Sequence, residues 1–93
     1  MAQFTVRVEL HRADQEDYDV LHSAMEDEGF SREIASSEGT RYHLPTAEYN
    51  RSSSLTRQKI LDSAESAASK TRKKFEILVT ESAGRSWRGL PKV

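Results

Sequence analysis

Apolar and polar residues alternate at the start of the chain. Phe4, Val6, Val8 and Leu10 fall on one side of an extended segment, and Thr5, Arg7, Glu9 and His11 on the other. A period of two marks a strand with one buried and one exposed face. The period then changes. Tyr18, Leu21 and Met25 recur at helical spacing, with Val20 and Ala24 able to widen the stripe. Asp14 stands where an N-cap belongs, Glu16 and Asp17 suit the first turn, and Gly29 suits a left-handed C-cap with Phe30 packing back. The pattern predicts a helix over residues 14–28.

The middle of the chain is less regular. A short strand is expected over residues 31–36 around Ile34, then a turn at Ser37-Glu38-Gly39-Thr40, then a strand over residues 41–44 ended by Pro45. Residues 45–54, polar and closing on Arg51-Ser52-Ser53-Ser54, read as the longest loop and a mobile one. Thr56 is a good N-cap for a second helix, with Leu55 and Ile60 placed as a hydrophobic staple. Ile60, Leu61, Ala64, Ala67 and Ala68 form its apolar face, and small alanines let a helix lie close to a sheet. Phe75, Ile77 and Val79 alternate in the last main strand. Ser86–Leu90 is predicted as a short extra strand pairing back on residues 75–81.

The order strand–helix–strand–strand–helix–strand predicts an α+β domain of the ferredoxin-like βαββαβ type. It would be a four-stranded antiparallel sheet with both helices on one face. Right-handed crossovers would put the first and third strands in the centre. Thr5, Arg7, Glu9, Arg41, His43, Glu76 and Thr80 would face outward on the open side. At 93 residues there is room for one domain, with a core over residues 3–81 and an extension over 82–93.

Composition narrows the chemistry. With no cysteine, disulfides and thiolate metal sites are excluded. No apolar run reaches the ~20 residues of a membrane span, so a cytoplasmic protein without membrane association is expected. The net charge of −1 hides an asymmetry. Residues 1–50 carry 4 Lys/Arg against 11 Asp/Glu, and residues 51–93 carry 10 against 4. This predicts either an acidic and a basic element lying side by side, or a polarised surface for an anionic partner.

His11, His22 and His43 are the only acid–base candidates titrating near neutral pH, and none has metal-ligand spacing. His11 and His43 read as solvated residues of the open face, and His22 as an edge residue of the first helix. No phosphate-loop, nucleophile-elbow or paired-acid motif occurs, and no cofactor is predicted. Glu26-Asp27-Glu28 reads as a solvated helix end. An open face of Arg, Glu, His and Thr lacks the aromatics that stack on RNA bases. Phosphate contacts remain available from Arg32, Arg41 and Arg51 near one end, and from Arg72, Lys73, Lys74, Arg85 and Arg88 near the other. Trp87 is expected to cover an open edge of the core or to anchor self-association.

The stretches FTVRVEL, LHSAMEDEGFSREI and EYNRSSS, with the alanine-rich second helix, resemble the small bacterial family named after the GhoS antitoxin. The resemblance spans about residues 3–80 and rests on length, element order and the passage ending in Gly29-Phe30-Ser31. It implies a ferredoxin-like fold related to the small CRISPR adaptation nuclease. It also implies a metal-independent endoribonuclease antitoxin that cleaves its toxin's messenger RNA. The family's basic position on the first helix falls at His22, which would transfer protons while arginines hold the phosphate. The other function expected is a non-catalytic adaptor, docking a protein through its acidic first helix or its tail. RNA and a protein are thus the candidate partners, of a monomer or a homodimer.

Overall fold

A computed structural model describes all 93 residues. The strand β1 (Ala2–Leu10) leads to the helix α1 (Gln15–Asp27), then to β2 (Glu33–Ala35), β3 (Arg41–His43) and β4 (Glu48–Ser53). The helix α2 (Arg57–Ser69) and the strand β5 (Phe75–Ser82) complete the order. The result is a small α+β fold with two helices and two antiparallel sheets: three strands in the order β4-β1-β5, and a β2-β3 hairpin.

β1 is central because its alternation fits both neighbours. Val6 lies opposite Tyr49 of β4 and Val79 of β5, and Val8 lies opposite Ile77. Phe4, Val6, Val8 and Leu10 point to one face, where they meet Leu21, Ala24 and Met25 of α1 and Ile60, Ala64, Ala67 and Ala68 of α2. Both helices therefore cover the same face. The alanines of α2 allow its close approach, as their spacing predicts.

The helix ends follow their sequence signals. The Asp14 side chain accepts from the Asp17 backbone N–H while the Asp17 carboxylate accepts from the Asp14 N–H, a reciprocal capping box. The backbone bond from Asp14 is the main reason the Asp17 carboxyl is held below its usual range, with Lys73 adding to it. Thr56 Oγ1 accepts from the Lys59 N–H at the start of α2. Gly29 has φ +95°, where any other residue would be strained, although its Cβ would meet the Arg51 guanidinium only at ordinary contact distance. Gly29→Ala is expected to lower stability by about 1–2 kcal/mol, checked by urea denaturation.

Three expectations are corrected. Residues 48–53 form a strand rather than a mobile loop: β4 pairs with β1 from Ala2↔Ser53 to Arg7↔Glu48. The neighbour's backbone and the burial of Tyr49 override the weak strand propensity of a serine-rich segment. No single four-stranded sheet forms. The segment expected as a central strand, β3, sits in the separate hairpin, joined to the main sheet only through a Ser31↔Asn50 bridge. Arg41 and His43 therefore lie on that hairpin and not on the open face of the main sheet. The tail does not turn back on β5. It runs to β3, where the His43 N–H donates to the Pro91 carbonyl at 2.9 Å and the Val93 N–H to the Arg41 carbonyl at 3.0 Å.

The charge asymmetry is partly cancelled within the fold. α1 packs on α2, and Lys73, just past α2, lies 3.6 Å from Asp17 on α1. No helix is long and apolar enough to cross a membrane.

Candidate functional site

The one buried histidine stands at the junction of α1 and β4. His22 is 7% exposed, and its Nδ1 lies 2.6 Å from the hydroxyl of Tyr49, which is fully buried. Helical periodicity brings His22 to the inner side beside Leu21, and the pleat of β4 points Tyr49 toward it. Burial pushes the His22 pKa down, and the positive charge of Arg32 pushes it further. Burial likewise raises the Tyr49 phenol well above its ordinary range. Both groups are therefore neutral at pH 7 and joined by a hydrogen bond between Nδ1 and the phenol. Only Nε2 of His22 is left to exchange a proton with anything else.

Arg32, whose charge acts on both groups, lines a cleft of about 440 Å³ together with residues that include Glu26, Ser31, Glu33, Arg41 and His43; His22 and Tyr49 are not part of that lining. Arg41 forms an ion pair with Glu33 across the hairpin. Arg32 has no acidic partner, and its Nε is buried without a hydrogen-bond partner. Arg51 turns away: it lies on the helix face, donates to the Glu28 carbonyl at 2.8 Å and rests 5.2 Å from the centre of the Phe30 ring.

The other predicted basic group does not assemble. Arg72 and Lys74 are exposed at the α2–β5 junction, and Lys73 is taken by Asp17. Arg85 lies beyond the opposite end of β5, eight residues and on the order of 25 Å away. There it donates to Asn50 Oδ1 at 2.6 Å and Thr5 Oγ1 at 3.2 Å, on the sheet face away from the helices. Arg88 is exposed on the tail. Trp87 packs edge-on against Tyr42 with ring centres 5.5 Å apart, so it lies against the hairpin rather than over an edge of the main core.

On the open face, Thr5, Arg7, Glu9, Glu76 and Thr80 lie where alternation predicts, with Leu78 among them at 64% exposure. His11 is exposed at the end of this face, 2.9 Å from Glu76. Tail residues lie over the Thr5 side of the face. Sequence reasoning missed Tyr49, the partner of His22; its period-two place between Glu48 and Asn50 was the available signal, masked by the serines that follow.

No protein-family model matches the chain, and no curated protein matches it significantly.

Proposed function

We propose that the chain binds RNA through its phosphate groups, as a regulator of the antitoxin-like kind its sequence resembles. The observation that carries this is Arg32: a cation without an acidic partner, its Nε buried and unsatisfied, in a cleft that also holds Ser31, Arg41 and His43. A buried unpaired donor is costly and marks a guanidinium the fold leaves uncompensated, and a phosphate could pair with its outer donors by charge-assisted bonds. We read the topology as a variant of the ferredoxin-like arrangement. The order β4-β1-β5 and the bridge from Ser31 to Asn50 support this, because they put the chain leaving α1 beside β4, in the fourth position. The tail over the sheet face supports a grip on backbone rather than on stacked bases there.

Cleavage would fall to His22, acting through Nε2, the ring nitrogen that Tyr49 does not engage. Its burial and its bond to Tyr49 count against cleavage as the main role. The adaptor reading, anchored on Trp87, is weakened by the packing of that ring on Tyr42.

The test is fluorescence anisotropy with a labelled single-stranded RNA over a range of salt. Affinity is expected to fall steeply with salt, and Arg32→Gln to weaken binding about ten-fold and flatten the log–log slope by about 0.7. Unchanged affinity in Arg32→Gln would remove this cleft from RNA binding. Loss of any RNA cleavage in His22→Ala, with the fold retained, would assign His22 a chemical role.

A further inference from the structure

A second cleft differs in kind from the one beside Arg32. It measures about 590 Å³, lies between the start of the tail, the end of β5 and the hairpin turn, and is lined by residues that include Gln3, Ser36, Ser37, Ser82, Arg85 and Trp87. That volume falls within the ~300–1,000 Å³ of small-ligand sites. Its lining contains no Asp or Glu, whereas the linings of four other surface clefts each contain at least one.

Arg85 is the only charge in this lining. Its acceptors are all neutral: Asn50 Oδ1, Thr5 Oγ1 and, at 3.5 Å, Gln3 Oε1. It forms no ion pair, and burial lowers its pKa with no opposing carboxylate. These bonds take the two N–H donors of Nη1 and, at a long distance, one of Nη2, and leave the Nε N–H and the second Nη2 N–H without a protein partner. Arginine presents such donors as a planar fork that fits phosphate oxygens. Ser36, Ser37, Ser82, Ser86 and Trp87 line the same cleft.

We propose that this cleft binds a phosphorylated nucleotide unit, with the phosphate on Arg85 and the neighbouring serine hydroxyls and the base against Trp87. A guanidinium without a counter-ion, an acid-free lining and an indole in reach together suit an anion carrying a planar ring. A free mononucleotide and the phosphorylated end of an RNA strand share that chemistry. The site does not depend on the Arg32 cleft.

The test titrates the full 93-residue chain with AMP, adenosine, inorganic phosphate, and RNA hexamers bearing a 5′-phosphate or a 5′-hydroxyl. Trp87, the single tryptophan, is the fluorescence probe. AMP is expected to quench it saturably, and adenosine to bind at least ten-fold more weakly. Arg85→Gln should weaken AMP about ten-fold or more, Arg85→Lys less, and Arg32→Gln not at all. In the unaltered protein, amide shifts of Ser36, Ser37 and residues 82–87 should move with AMP, a readout that needs no variant. A 5′-phosphate hexamer binding far more tightly than AMP assigns the site to RNA ends; equal affinities assign it to free nucleotide. No saturable response to AMP or to the phosphorylated hexamer overturns the proposal, as does AMP binding that is lost in Arg32→Gln but kept in Arg85→Gln.

Discussion

Phe4→Ala is expected to cost about 3–5 kcal/mol and to leave the chain largely unfolded at 37 °C. Phe4 is fully buried in the central strand and shares the core with residues of both helices and of β4. Truncating a buried phenylalanine loses the transfer energy of the ring and leaves a cavity that a strand held on both sides cannot close. A domain of this size has a total stability near the low end of ~5–15 kcal/mol, so the loss takes most of it. The contrast is Leu78→Ala on β5, at 64% exposure, expected to stay within about 0.5 kcal/mol. Urea midpoints for both variants check the pair. Similar losses at the two positions would mean that the open face of β5 is buried against something in solution.

The second large effect belongs to the His22–Tyr49 pair. Tyr49→Phe removes one partner of a buried bond and leaves Nδ1 of His22 unsatisfied, at a cost of about 1–3 kcal/mol. The same pair makes stability depend on pH. The folded pKa of His22 lies below the unfolded value of 6.5, so the unfolded chain takes up the proton more readily. Above pH 6.5 both states are neutral and the fold has its full stability. As the pH falls from 6.5 through the depressed folded value, stability is lost. Urea midpoints measured from pH 7.5 to 5 should decline, and His22→Leu should flatten that decline. An equal decline in His22→Leu would assign the effect to another group.

How far these features were legible in the sequence differs from segment to segment. The period-two run of β1 and the caps at Asp14, Gly29 and Thr56 act over a few residues, so local rules suffice, and these elements stand as the pattern predicts. β4 is another matter. Glu48–Ser53 carries one buried apolar residue, Tyr49, and becomes a strand because β1 offers it a partner from a distant part of the chain. Pattern reading gave the central place to the more apolar Tyr42 and Leu44 instead. The tail misled for a similar reason. Residues 86–90 were expected to pair back on β5, but a bridge at Lys92 and the bonds of Arg85 across the sheet decide where the tail lies.

The candidate sites divide along the same line. His22 was visible as a residue type, but its role depends on Tyr49, 27 positions away. The basic residues were countable, yet their grouping was not: Arg85 crosses to Asn50, far from Lys74, while Arg51 and Lys73 are spent on contacts within the fold. Counting charges along a chain cannot show which of them the fold has already neutralised.

The central position of β1 also sets an order of events during synthesis. Its partners are β4, more than forty residues later, and β5, some seventy residues later. The ribosome therefore releases the most apolar strand with only α1 close behind it, and long before either strand partner exists. Both edges stay open until β4 emerges, and the second stays open through the making of α2 until β5 completes its ladder. Chains stalled or truncated before residue 75 would keep one edge of β1 bare, a template for pairing with other chains. The same long-range pairing that makes β1 the centre of the finished fold makes it the vulnerable part of the unfinished one.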